Sequence, residues 1–168
     1  MTFYHDLTPY EHKVSEVRPG TLNVGWLERG QTFSKGRVRK LFLERLWELC
    51  RCPVVLTRGF HECDLCESRQ WGPLEVYFRK EVIKVGSGEL RVPGRRGKIY
   101  AAPDMIFHYV LQHRYRPPDE FVAAVCACPS LESKAFARFL TRHALLDNSF
   151  KRRLSWLEEG GEERIAPN

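Results

Sequence analysis

Leu74-Glu75-Val76-Tyr77-Phe78, Val82-Ile83-Lys84-Val85, Glu89-Leu90-Arg91-Val92 and Lys98-Ile99-Tyr100-Ala101 are short runs rich in β-branched and aromatic residues. Gly86-Ser87-Gly88 and Pro93-Gly94-Arg95-Arg96-Gly97 separate them with turn formers. This spacing predicts antiparallel hairpins. Helical patterns lie on both sides. Upstream, Val38, Leu41, Phe42, Leu46 and Leu49 recur at helical spacing through residues 38–50, and Pro53 blocks continuation. Downstream, Pro103-Asp104 reads as the opening of a helix with Met105, Ile106, Tyr109 and Val110 on its apolar face. A further helix starts at Asp119-Glu120 and runs to about Ala127. Ser130 stands where a cap would begin another, to about Leu146, and a short helix is expected to about Glu159. Strands grouped together and helices grouped together indicate an α+β fold: a small antiparallel β-hairpin sheet packed by helices, with a C-terminal helical extension.

Before the hairpins stands Gly59-Phe60-His61-Glu62-Cys63-Asp64-Leu65-Cys66. A Cys-x-x-Cys step aims two sulfurs at one point, and zinc prefers four thiolate or imidazole ligands in a tetrahedron. His61 lies two residues before Cys63, and alternate residues of an extended run share a face. The expected metal ligands are therefore His61, Cys63 and Cys66, with a fourth from elsewhere. His108, on the helix after the hairpins, ranks first for that place, then Cys52, then Cys50. His113 ranks last, because at 100° per residue it falls about 140° around the helix from His108. Competing readings of the motif fit less well. A redox Cys-x-x-Cys opens a helix after a buried strand, and haem attachment needs His directly after the second Cys, where Glu67 stands. The His-x-Glu and Pro-Cys-x-x-Cys of zinc deaminases and the His-Glu-x-x-His of zinc proteases are both missing. Two buried thiols without a metal are the plain structural alternative.

The 168 residues are 43% hydrophobic, which is enough for an ordinary core without disulfides. The N-terminus has no basic and apolar pattern of a signal peptide, and no stretch is long and apolar enough to span a membrane. A cytoplasmic setting follows as the expectation, with the six cysteines as thiols or ligands. A net charge of +6 permits contact with nucleic acid or an acidic protein. Arg91, Arg95, Arg96 and Lys98 fall on one hairpin, and Lys134, Arg138 and Arg142 form a helical stripe, continued by Lys151, Arg152 and Arg153. Such a stripe either tracks phosphates or is an ordinary solvated face. Gly86-Ser87-Gly88-Glu89 joins strands and opens no helix, so it reads as a turn and not a phosphate cradle.

The chain resembles a family of short, functionally uncharacterised proteins from actinobacteria and related bacteria. The likeness rests on Leu22-Asn23-Val24-Gly25-Trp26-Leu27, Arg58 through Cys66, Gly86 through Val92, Tyr100-Ala101-Ala102-Pro103 through Ile106, His108-Tyr109-Val110, His113, Tyr115, Pro117-Pro118 and Phe121. It covers residues 1–127 and implies a shared fold in which the knuckle and the His108 helix belong together. It also implies variation around Cys50 and Cys52, and it implies no activity. The expected organisation is a zinc-knuckle α+β domain over 1–127, basic helices over 128–159 packed on it, and a disordered tail over 160–168. The expected role is that of a binding or interaction protein with a structural zinc and no catalytic residues. Two alternatives stand beside it. One is a nucleic-acid-binding protein using the C-terminal helices and the 91–98 hairpin, and the other is a hydrolase or nuclease with an open zinc site.

Overall fold

The computed structural model describes residues 3–11, 19–56, 59–67 and 72–143. The elements in chain order are β1 (Thr21–Asn23), α1 (Lys40–Arg51), β2 (Val55–Leu56), β3 (Leu74–Phe78), β4 (Glu81–Val85), β5 (Gly88–Pro93), β6 (Ile99–Pro103), α2 (Ile106–Gln112), α3 (Asp119–Ala127) and α4 (Lys134–Arg142). The class is α+β. Both hairpins form, but in different sheets: β3 and β4 pair alone, while β5 and β6 form the centre of a four-stranded sheet of order β1-β6-β5-β2. β1 joins β6 in parallel, with Leu22 opposite Tyr100, so the larger sheet is mixed.

Alternation along β5 separates two buried layers. Leu90 and Val92 enter the main core with Phe42, Leu46 and Trp47 of α1, Ile106 and Phe107 of α2, and Phe121 and Val125 of α3. Trp47, Phe78 and Phe107 meet pairwise at ring centroids of 5.0–5.4 Å, which ties the separate β3–β4 hairpin to α1 and α2. Such tilted aromatic pairs add roughly 0.5–1.5 kcal/mol each beyond buried area. On the other layer Glu89 and Arg91 are buried beneath the N-terminal segment. Tyr10 and Trp26 pack there against Ala101, and the Trp26 indole donates to the Ala101 carbonyl at 3.1 Å.

Several local expectations shift. Pro103 ends β6 opposite Glu89, and helix α2 starts only at Ile106. Asp104 sits between them, fully enclosed, and its carboxylate accepts from the Gly86 amide at 2.8 Å. Ser133, not Ser130, caps α4, accepting from the Phe136 amide at 3.1 Å while its hydroxyl donates to the Ser130 carbonyl. Phe136 and Leu140 carry α4 into the main core. The expected continuation to Leu146, the helix to Glu159, the tail and Lys151–Arg153 lie outside the described residues. No helix among the described residues is long and apolar enough to cross a membrane.

Candidate metal centre

The Cys63–Cys66 turn closes with the Cys66 amide donating to the Cys63 carbonyl at 3.3 Å. Arg29 braces it from outside: Nε donates to the Asp64 carbonyl at 2.6 Å and a terminal nitrogen to the Cys66 carbonyl at 2.7 Å. Opposite the turn, α2 presents His108 near its start and His113 at its C-cap. The ligand atoms of Cys63, Cys66, His108 and His113 all lie within 4.8 Å of one another. These four residues can hold a metal ion.

Four of the six separations between the ligand atoms are close to the edges of a tetrahedron. Zinc bonds of about 2.3 Å to sulfur and about 2.0–2.1 Å to nitrogen put sulfur and nitrogen vertices about 3.6 Å apart, and two nitrogens about 3.3 Å apart. The Nε2 atoms of His108 and His113 are separated by 3.2 Å. Sulfur to nitrogen distances are 3.3 Å for Cys63–His113, 3.3 Å for Cys66–His108 and 3.4 Å for Cys66–His113. Electrostatics agree with this use of the imidazoles. Burial, and then the neighbouring His113, lower the His108 pKa to about 4. Burial, and then the Lys35 charge, lower that of His113. Both rings are therefore neutral at pH 7, the form in which a ring nitrogen can ligate. Burial pushes the Cys63 thiol up to about 12, so without a cation this sulfur keeps its proton. A metal reverses that balance by binding the thiolate.

Cys63, Cys66 and His108 of the expected set are brought together, and His61 is not among them. The His61 side chain is exposed, while its amide donates to the Gly86 carbonyl at 2.7 Å. That backbone contact is tight: a Cβ on Gly86, whose φ is +110°, would stand 2.6 Å from the His61 carbonyl oxygen. His61 thus fastens the knuckle to the β4–β5 turn through its main chain. Cys50 is buried in the main core, and Cys52 caps α1; neither joins the cluster.

His113 occupies the place expected for His61. The 100° rule locates Cα atoms on an ideal helix, whereas the imidazole reaches well beyond its Cα. His113 also leaves helical geometry, with φ −106° and ψ 5°, and Arg114 then turns into the left-handed region at φ 57°. Side chains lean toward the helix N-terminus, which carries the His113 ring back over the turn that holds His108. The ring centroids are 5.0 Å apart at 73°. A signal is present in the sequence: Pro117-Pro118 stop the helix shortly after His113, which places this residue near a helix end where an ideal-helix angle need not hold.

Asp104 is a second residue with an unforeseen role. Burial raises its carboxyl to about 6, although amides of Gly86, Ser87, Gly88 and Met105 hold the charged form. Gly88 leaves room for this contact, since a Cβ there would meet Pro53 at 2.5 Å and Asp104 at 2.9 Å.

Of the basic residues, Arg91 is removed from any surface role. It is 5% exposed, bonded to Glu89 at 2.8 Å and lies over the Tyr10 ring. Lys98 pairs with Glu120 at 3.0 Å, whereas Arg95, Arg96, Lys134, Arg138 and Arg142 are exposed.

No curated protein and no solved structure matches the chain. The match to a family model is extensive: it spans residues 2–126 and takes in all four candidate ligands and every element from β1 into α3. The chain belongs to that family, described as a domain of unknown function (DUF7919).

Proposed function

We propose that Cys63, Cys66, His108 and His113 hold a structural zinc ion, and that the protein is a small binding domain without catalytic chemistry of its own. The observation that carries this is the convergence of two sulfurs and two imidazole nitrogens within 4.8 Å of one another, with four of their six separations at 3.2–3.4 Å, close to the edges of a zinc tetrahedron. Two thiolates and two imidazoles also favour zinc over magnesium or calcium, which prefer oxygen. Four protein donors fill a tetrahedron and leave no vertex for water, which weighs against the open-site hydrolase or nuclease. A reducing compartment such as the cytoplasm suits a thiolate site. The ion would pin the knuckle to α2.

The test is metal analysis of the purified protein and of single variants. The wild type should carry one equivalent of zinc. Cys66→Ser and His113→Ala should lose it, while His61→Ala should keep it. Retention of a full equivalent by His113→Ala, or its loss from His61→Ala, would return His61 to the ligand set. Absence of stoichiometric metal from the wild type after growth with added zinc would sink the reading.

A further inference from the structure

A cleft of about 520 Å³ opens beside His113. Arg29, Phe33, Lys35, Gln112, His113 and Arg114 line it, with no acidic residue in its described lining. Its basic walls are built and not incidental. Residues 34–36 run antiparallel to 114–116: the Gly36 amide donates to the Arg114 carbonyl at 2.9 Å, and the Arg116 amide to the Ser34 carbonyl at 2.9 Å. This pairing fixes Lys35 and Arg114 on adjacent strands of chain. Arg29 is held from the third side by the knuckle carbonyls.

Among the described residues no carboxylate pairs with the charges of this cleft, and the Lys35 ammonium lies over the Phe33 ring at 5.3 Å. Arg29 spends two of its five N–H groups on neutral carbonyls, which orient it and leave its charge in place. By contrast, Arg91 is buried, Lys98 is paired, Arg95 and Arg96 are exposed on the turn between β5 and β6, and Lys134, Arg138 and Arg142 lie along a solvated helix face.

We infer that this cleft binds a phosphate group, presented by a nucleic-acid strand or by a small phosphorylated molecule. Guanidinium groups match phosphate oxygens in bidentate geometry, the lysine adds a point charge, and the Gln112 amide adds a neutral donor. The inference goes beyond the structural zinc, and the cleft shares with that site only His113 and the knuckle carbonyls that hold Arg29.

The test uses the full-length, metal-loaded protein. A fluorescein-labelled single-stranded oligonucleotide is titrated by anisotropy at low and rising salt, and inorganic pyrophosphate by calorimetry. Whichever probe binds, Lys35→Glu with Arg114→Asn should weaken it by about tenfold or more; Asn suits the left-handed backbone at position 114. The slope of log affinity against log salt should fall by about 0.7 for each strand phosphate that the variant no longer neutralises. Lys134→Glu with Arg138→Glu on α4 should leave binding unchanged. Oligonucleotide binding that pyrophosphate does not match assigns the cleft to a strand backbone; tight pyrophosphate binding assigns it to a compact phosphate ligand. The single variant Lys35→Gln, at an exposed position, keeps the test valid if the double variant misfolds. The proposal is overturned if neither probe binds at low salt, if the cleft variants bind like the wild type, or if the α4 variant alone loses affinity. Metal content is measured on every sample, so a protein without zinc that still binds phosphate would overturn the metal assignment and leave this one intact.

Discussion

Two buried polar constellations hold distant parts of this chain together, and they solve the same problem by different means. At the metal centre, two thiols and two imidazoles converge with no opposite charge of their own. Beneath the N-terminal segment, Glu89 meets Arg91 at 2.8 Å and the Tyr10 hydroxyl at 2.7 Å, both on Oε2. The first is a neutral donor set that can take a cation, whereas the second carries its own charge partner. Buried charge is tolerated only when paired. With zinc bound as proposed, one cluster ties stability to an outside supply, and the other does not.

The largest effect should come from breaking the first. Chelation of the zinc-loaded protein should cost on the order of 5 kcal/mol or more, seen as a fall of more than about 10 °C in thermal midpoint. The same chelator should leave the midpoint of Cys66→Ser unmoved. Equal midpoints with and without chelator in the wild type would remove the contrast.

The second constellation should respond to substitution and ignore chelators. Glu89→Ala leaves the Arg91 guanidinium buried without its partner, at 6% side-chain exposure, and should cost about 3–5 kcal/mol by denaturant unfolding. Glu89→Leu with Arg91→Met should recover most of that loss, because an apolar pair avoids the desolvation of both charges. A double variant as unstable as the single one would show that the pair does more than neutralise itself.

Asp104 gives the smallest and most pH-specific signal. Its folded pKa is raised from 3.8 to about 6 by burial, so between those values the folded state binds the extra proton. Stability from this group is then greatest at acid pH and falls as pH rises through about 6. Against Asp104→Asn, the wild type should therefore lose up to roughly 3 kcal/mol of relative stability between pH 4 and pH 7. The comparison between the two proteins cancels titration of the metal ligands. A flat difference would mean that the four amides fully offset the burial.

The elements are legible in the sequence where their signals are local. The spacing of Phe42, Leu46 and Leu49 predicts α1 within two residues at its start, and Gly86-Ser87-Gly88 marks a real turn. Nothing local shows that β1 lies parallel to β6, since that pairing joins residues about 78 positions apart with no turn between them to specify it. Cys63, Cys66 and His108 are legible because few residue types bind metal. His113 is passed over by an ideal-helix rule applied at a helix end. The burial of Arg91 is hidden because a strand alternating charge and apolar residues reads as half solvated, until another segment covers its polar face.

The separation of the metal ligands along the chain has a consequence for how the protein folds and comes apart. The contacts link positions 42–50 residues apart, and that interval contains the β3–β4 hairpin and both central strands of the larger sheet. A bound ion thus acts as a cross-link closing a long loop, and restricts the unfolded chain much as a disulfide would. On the chain-entropy estimate, closing a loop of that length removes about 4 kcal/mol of freedom from the unfolded ensemble. Oxidation of Cys63 to Cys66 would close only the short turn between them, exchanging a tether across the fold for one that joins near neighbours.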